Sequence, residues 1–392
     1  MKNTPAWSRG FRPFFLGASL YAVLTMGAWL AVYRYGWPLG VPGLTPSQWH
    51  AHEMIYGYAM AVIAGFLLTA AWNWTGRATA SGAALALLFA AWATARALML
   101  PGTQLIWVAA VADLLFMVGL GIAVGRPIEQ VRQKRQAPVL VMLTLLTIAN
   151  LCFYLGAAGW LPWGAHWGVN GGLYLVLGMV LFMGVRVIPF FTERGVGYEV
   201  QLKRQRWNDT ATFTVFPLFL LSELLFPHQL PGALLAAALL TLNSLRVSGW
   251  HTLGIWQKPL LWGLFGAFLM INLGFLLRAL MPVTAIPDFL PIHAFAVGGI
   301  GLVSVSMMAR VTLGHTGRNV HQAPPIITLL LLGMVLAAII RVFLPLVDVA
   351  NYPLWVALSG GAWIATFGLF LVVFAPMLLR PRADEPDKPG SE

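Results

Sequence analysis

The sequence has little charge. Charged side chains make up 9% of its 392 residues, whereas hydrophobic residues make up 59%. A soluble globular domain carries about 25% charged residues. The composition therefore excludes a soluble protein and predicts an integral membrane protein in a lipid bilayer.

Cysteine is nearly absent, and so is any sign of a removable leader. The single cysteine, Cys152, lies inside an apolar run, which excludes an intramolecular disulfide and a thiolate metal cluster. No signal pattern with a small-residue cleavage site occurs near the N-terminus, so the first apolar run is expected to remain as a helix. The net charge of +11 is scattered between apolar runs instead of forming one basic face, and a nucleic-acid partner is therefore not expected.

Long apolar runs are what the chain does have. A transmembrane helix needs about 20 mostly apolar residues. Twelve such runs centre on 14–33, 49–72, 80–100, 104–124, 138–158, 167–190, 211–226, 230–248, 259–280, 289–312, 325–345 and 354–378. We therefore expect an all-α integral membrane protein with one twelve-helix transmembrane domain, residues 1–379, and a disordered cytoplasmic tail, residues 380–392.

The basic residues predict the orientation of these helices. If the runs alternate in direction, all but four of the 24 Lys and Arg residues fall on one side, and the four are Arg34, Arg96, Arg278 and Arg341. Cytoplasmic loops carry an excess of Lys and Arg. Both termini are therefore predicted to be cytoplasmic, with those four arginines on the outer side.

Residues 49–54, WHAHEM, place ionisable groups at the outer end of the second run. Residues 45–48, TPSQ, have a capping-box pattern that predicts a helix start just ahead of them. Residues two apart point about 200° apart on a helix, so His50 and His52 are not expected to bind one metal together. The positive end of the helix dipole disfavours imidazolium, which predicts that both rings are neutral and able to bind metal.

The tenth run repeats features of the second. When His52 is aligned with His293, a glycine follows five residues later in both runs, at Gly57 and Gly298, and Thr-Gly-Arg closes both segments. The shift of eight helices predicts three four-helix units in a pseudo-threefold arrangement instead of two six-helix halves. The sixth run has only His166, which is predicted to lie in the loop ahead of the helix and misses the spacing by three residues.

The matched histidines suit a flat macrocycle. Neutral imidazole is a common axial ligand of haem iron, and glycine lets a ring approach the backbone closely. Taken singly, each histidine could instead form hydrogen bonds near the lipid headgroups. As a pair they favour a haem held by His52 and His293 between helices 2 and 10, beside Gly57 and Gly298.

Four blocks of sequence together resemble the NnrS family. They are GFRPFF (10–15), WHAHEM…AVIAGFLLTA…NWTG (49–76), GVRVIPFFTERG (184–195) and HAFAVGGIG…MMARVTLGHTGR (293–318). The resemblance implies a twelve-helix bacterial inner-membrane protein that contains haem b and copper and is associated with denitrification and nitric oxide stress. Nitric oxide is then the expected partner, and the electron donor is unknown. His50 joins His52 and His293 as a metal ligand, and is expected to bind copper.

Haem-copper oxidases and nitric oxide reductases offer a weaker analogy, because their low-spin haem also lies between helices 2 and 10. Those enzymes need a second axial histidine on helix 10 and three copper histidines from helices 6 and 7. Here helices 6 and 7 offer only His166 and His228, both predicted in loops. An oxidase-type dinuclear centre is therefore not expected.

Several buried charges have two interpretations each. Asp113 falls near the bilayer centre, where a carboxylate is costly, and is either a proton-relay group or a structural acid paired with Arg96. Arg96, Arg278 and Arg341 could pair with haem propionates, or each could extend to the interface. If nitric oxide is reduced, protons would enter either from the periplasm through Glu53 or Glu223, the shorter route, or from the cytoplasm through Asp113.

The sequence therefore predicts a haem- and copper-binding protein of nitric oxide metabolism or stress defence. Two alternatives stay open. One is a nitric oxide reductase, and the other is a twelve-helix transporter, although a repeat of eight helices does not fit two six-helix halves. Whether nitric oxide is turned over or only bound is not fixed by the sequence.

Overall fold

Twelve long helices lie where the apolar runs predict them. A computed structural model describes residues 5–384, and within that range helices are the only regular secondary structure. The helices are α1 (Phe11–Tyr35), α2 (Pro46–Thr75), α3 (Gly82–Leu98), α4 (Ile106–Gln130), α5 (Ala137–Ala157), α6 (Gly164–Gly195), α7 (Arg206–Leu225), α8 (Leu230–Trp250), α9 (Pro259–Leu280), α10 (Phe289–His315), α11 (Ile326–Val342) and α12 (Tyr352–Leu379).

Ten of these helices are long and apolar enough to cross a membrane. The other two are α3, which is apolar but has 17 residues, and α7, which begins with the polar segment RWNDT. The prediction of an integral, all-α membrane protein is confirmed. Most of the predicted tail, from residue 385 onward, lies outside the described residues, and Ala383 just before it donates a backbone hydrogen bond to Thr316 (2.9 Å).

Three helices lie at the centre of the bundle. Most neighbours in sequence pack side by side, and α1 also packs against α12. Among the ten candidate spans, α2 and α10 are each 78% buried and α6 is 67% buried, whereas the other seven range from 33% to 61%. The three central helices are four apart in sequence. This is the spacing that three four-helix units would produce.

The start of α2 has the predicted cap. Thr45 Oγ1 accepts a hydrogen bond from the Gln48 backbone N–H (3.3 Å), and the Thr45 N–H donates to Gln48 Oε1 (2.9 Å). Such a cap typically stabilises a helix by about 1 kcal/mol. It fixes the first residue of the helix at Pro46 and so places His50 in the second turn.

Helices α2 and α10 share a departure from α-helical geometry. A π-helical segment, Glu53–Ala59, follows His52, and another, Ala294–Gly301, follows His293. π-Helical turns are rare, contain one extra residue, and occur frequently at functional sites. The two segments therefore add a structural likeness to the repeat that the sequence alignment of His52 with His293 indicated.

Candidate functional site

A cavity of about 560 Å³ lies at the end of the bundle where α2, α6 and α10 begin. Its volume falls within the range of small-molecule sites. Each central helix contributes one histidine to its wall, namely His50, His166 and His293. Met54, Glu223, Arg278 and Arg341 also line the cavity.

His293 is arranged as a metal ligand would be. Its Nδ1 lies 2.6 Å from the backbone oxygen of Phe289. Because a carbonyl oxygen only accepts, Nδ1 carries the proton, and Nε2 of the neutral ring keeps its lone pair. Metal-binding histidines commonly donate their other ring N–H to a backbone carbonyl in this way.

His50 lies on the cavity wall without a polar partner for one ring nitrogen. Its ring stacks on Trp29, with centroids 4.3 Å apart. Nδ1 is buried and has no hydrogen-bond partner within residues 5–384. A buried polar atom without a partner costs about 1–3 kcal/mol, and a ligand in the cavity would remove that cost. Met54, one turn further along the same face of α2, also lines the cavity.

His166 lines the cavity, and its predicted position in a loop was wrong. It was predicted to precede helix 6, but α6 begins at Gly164, so His166 lies in its first turn. The Asn170 side-chain N–H donates to His166 Nδ1 (3.0 Å), which leaves the proton on Nε2. That nitrogen is buried without a partner among the described residues and can donate a hydrogen bond to a bound ligand.

His52 faces away from the cavity. Its Nδ1 lies 2.6 Å from Glu53 Oε1, and its Nε2 lies 2.9 Å from Asn150 Oδ1. The amide oxygen of Asn150 only accepts, so Nε2 carries a proton and donates to it. The pairing of His52 with His293 at one haem has no support in this geometry.

His52 belongs to a buried charged cluster, which we define as His52, Glu53, Arg96 and Asp113. Arg96 Nη1 lies 2.8 Å from Glu53 Oε2, and Arg96 Nη2 lies 2.5 Å from Asp113 Oδ2. All four side chains are 3% exposed or less. Arg96 contacts both carboxylates of the cluster. Asp113 is therefore paired with Arg96, which was one of its two interpretations.

Hydrogen bonds from neighbouring helices complete the charged cluster. Tyr154 OH (3.0 Å) and Asn150 Nδ2 (3.1 Å), both on α5, donate to Asp113 Oδ2. Tyr21 OH, on α1, donates to Glu53. Five consecutive helices, α1 to α5, therefore contribute to one polar contact region inside an otherwise apolar bundle.

Glu53 and Asp113 belong to the same cluster. Each lies seven residues beyond the first residue of its helix, roughly 10 Å along the axis. They share Arg96, and neither lines the cavity. The two proton routes stay predictions. Glu223 is the carboxylate of α7 that lines the cavity.

Arg278, Arg341 and Arg96 are buried instead of extending to the interface. Arg278 is 2% exposed and forms a bidentate pair with Glu223, with Nη2 2.7 Å from Oε1 and Nε 3.1 Å from Oε2. Arg341 is 8% exposed and donates to Tyr352 OH (2.8 Å). Both line the cavity, and Nη1 of each lacks a hydrogen-bond partner in the described range. Arg96 does not line it, which leaves Arg278 and Arg341 as the arginines that can reach an acidic ligand group.

The aligned glycines face protein, not the cavity. A Cβ on Gly57 would lie 2.5 Å from Tyr21 Cε1, and a Cβ on Gly298 would lie 2.6 Å from Met270 Cε. Glycine at these positions therefore lets α1 approach α2 and α9 approach α10. Neither glycine lines the cavity, so the role predicted for them, admitting a macrocycle, has no support here.

The bundle, its cavity and its buried charges define a helical membrane protein with a histidine-lined site at one end. Across residues 5–384, no group of three or more His, Cys, Asp or Glu residues is arranged to hold a metal ion. The family model described as NnrS protein matches residues 5–382, and the chain belongs to the NnrS family. A search of curated proteins found no match. Family membership supports a membrane protein related to nitric oxide.

The charged cluster predicts a large cost for removing its arginine. Arg96→Met leaves two buried carboxylates without their arginine, and breaking a buried ion pair typically costs about 3–5 kcal/mol. We expect a clear fall in the thermal unfolding midpoint of detergent-purified protein. Arg34→Met, at an exposed position on the same end of the bundle, is the matched control. Equal midpoints for the two variants would contradict a stabilising role for Arg96.

Proposed function

We propose that this NnrS protein binds a haem in the histidine-lined cavity and binds nitric oxide there, as part of nitric oxide metabolism or defence. The observation that carries the proposal is the hydrogen bond from His293 Nδ1 to Phe289 (2.6 Å), which leaves Nε2 as the free nitrogen of a cavity-lining ring. A neutral imidazole of this kind is a common axial ligand of haem iron.

The other cavity residues fit a haem. Arg278 and Arg341 each have a buried N–H group without a partner among the described residues, and both line the cavity. They are suited to charge-assisted hydrogen bonds with propionate groups. When bound, the haem iron would supply the position that takes nitric oxide. His166 Nε2–H would donate a hydrogen bond to a ligand in the cavity, and the surrounding apolar walls would exclude water.

Copper fits a different wall of the same cavity. His50 and Met54 lie four residues apart on α2, and both line the cavity. An imidazole nitrogen and a thioether sulfur are a soft donor pair that favours Cu(I). We therefore assign copper to His50, as the sequence analysis expected, and add Met54 as a second ligand.

A nitric oxide reductase is the second candidate, because a carboxylate lines the cavity. Glu223 is held by Arg278, and Tyr174 OH donates to it (3.3 Å). A reaction that consumes protons in the cavity would take them from Glu223, which lines the cavity. Glu53 and Asp113 are buried and do not line it. Consumption of nitric oxide by purified protein under reductant separates the enzyme from a binding protein.

We further propose that all twelve helices cross the bacterial inner membrane, with both termini in the cytoplasm and the histidine-lined cavity at the periplasmic end. Arg34, Arg96, Arg278 and Arg341, the four basic residues assigned to the outer side, belong to the end of the bundle that holds this cavity. The remaining Lys and Arg residues support a cytoplasmic location for the opposite end.

The orientation predicts the result of reporter fusions. Reporters fused after residues 135 and 204 should be active as cytoplasmic fusions, and a reporter near residue 160 should be active as a periplasmic fusion, because the first two follow basic linkers. The reverse pattern would place the cavity at the cytoplasmic face.

Haem binding is expected to depend on His293 and not on His52. His293→Ala should lose most of its haem absorbance after purification, because it removes the axial nitrogen. Imidazole added to His293→Gly should restore part of that absorbance. His52→Gln should lower stability but keep haem in the folded fraction, and His251→Ala, an exposed position at the other end of the bundle, is the control. Full haem content in His293→Ala would exclude this ligand.

Copper content is expected to follow the other histidine. His50→Ala and Met54→Leu should each lower the copper-to-protein ratio measured by elemental analysis, while the haem band is retained. Met117→Leu, at a buried position on α4, controls for a general effect of methionine loss. Normal copper in both cavity variants would remove these residues from the copper site.

A further inference from the structure

A second cavity, of about 300 Å³, lies at the opposite end of the bundle from the histidines. The end of α6, the start of α9, the last turns of α10 and residues 320–323 form its walls. Three lining residues can carry positive charge, namely Lys258, Arg310 and His321, and none of the lining residues is acidic. The cavity is therefore an electropositive site inside the end of a membrane bundle.

Arg310 is the residue that most needs a partner. It is 9% exposed, and no side chain or backbone group in the described part of the chain accepts a hydrogen bond from it. Its guanidinium lies over the Phe191 ring, with Cζ 3.7 Å from the ring centroid. Stacking of this kind uses the face of the guanidinium and leaves its N–H edge free. A buried cation without a counter-charge is costly, especially in a membrane helix.

The nearby carboxylate of α6 does not serve as that counter-charge. Glu193 lies 2.5 Å from Arg204 Nη2, and it also accepts from the Leu202 backbone N–H (3.2 Å). Glu193 is not among the residues that line the cavity. Among residues 5–384, therefore, no carboxylate lines the cavity to balance Arg310, and a bound anion would do so.

The start of α9 adds a second positive element. Residues 258–261 line the cavity, and the first helical residue is Pro259. No side chain caps this end of the 22-residue helix. Pro259 has no backbone N–H, and the Leu261 N–H donates to the Lys258 carbonyl oxygen (2.9 Å), so this helix start favours a bound anion through the partial positive charge of the helix dipole.

We propose that this cavity binds a phosphate group, either that of an anionic phospholipid or free inorganic phosphate. The Arg310 fork matches two oxygens of a phosphate, and Lys258 adds a point charge beside the helix N-terminus. Arg310 lies five residues before the end of α10 at His315, or roughly 7.5 Å along the axis. This depth places the site near the lipid headgroups, where basic pockets between transmembrane helices bind acidic lipids.

The test uses full-length protein in detergent with three probes: dioleoylphosphatidylglycerol, inorganic phosphate, and dioleoylglycerol, which lacks a phosphate. Native mass spectrometry counts bound lipid, and the thermal unfolding midpoint reports binding of each probe. Phosphatidylglycerol should bind and raise the midpoint, whereas dioleoylglycerol should not. Arg310→Gln should weaken phosphatidylglycerol binding roughly tenfold to a hundredfold, since it removes a charge-assisted contact.

Arg194→Gln is the matched control. Arg194 also stacks on a phenylalanine of α6, Phe190, with Cζ 4.1 Å from the ring centroid. It is exposed and does not line the cavity, so its replacement should leave binding unchanged. If Arg310→Gln does not fold, Lys258→Gln, at a half-buried position at the start of α9, carries the test.

Each outcome decides the proposal. Binding of phosphatidylglycerol that inorganic phosphate does not displace identifies lipid as the source. Stabilisation by inorganic phosphate alone, lost in Arg310→Gln, identifies a free phosphate site. Absence of binding by both probes to the wild-type protein, or equal binding by the wild type, Arg310→Gln and Lys258→Gln, would overturn the proposal.

Discussion

The orientation of α2 about its own axis depends on one arginine, Arg96. Arg96 contacts both carboxylates of the charged cluster, Glu53 at 2.8 Å and Asp113 at 2.5 Å, and so joins α2, α3 and α4 through a single side chain. In a low-dielectric interior, removal of one partner leaves an uncompensated buried charge, so the two partners are held together strongly. Because Glu53 must face Arg96, His52 turns toward α5, and His50 turns toward the cavity.

The two ends of the molecule differ in how their buried cations are balanced. At the end with the histidines, carboxylates pair with two of the four arginines, Arg96 and Arg278. Arg278, Arg341 and His50 each have a nitrogen without a hydrogen-bond partner among the described residues at the wall of the large cavity. At the other end, a whole guanidinium, that of Arg310, has no acidic neighbour in its cavity. The histidine end suits a ligand that has both an atom that binds ring nitrogens and acidic groups that bind arginine. The Arg310 end suits a simple anion.

The sequence predicted the helices better than it predicted which faces turn inward. Apolar runs and the cap at Thr45 located the helices, because run length and local hydrogen bonds are readable from neighbouring residues. Helical spacing also separated His50 from His52 correctly. The spacing could not tell which of the two faces the cavity, since that depends on the contact between Glu53 and Arg96, which are 43 residues apart in the chain. His166 was misplaced because the start of α6 lay outside its apolar run.

The π-helical segments after His52 and His293 act as phase shifts within their helices. Each residue of an α-helix turns the chain by about 100°, so one added residue rotates everything before it relative to everything after it. In α2 and α10 the residues ahead of the π-helical segment can therefore face a polar cavity while the remainder keeps the apolar face that its neighbours require. One uninterrupted helix can thus line the polar cavity at one end and pack against apolar neighbours along the rest, without a proline break.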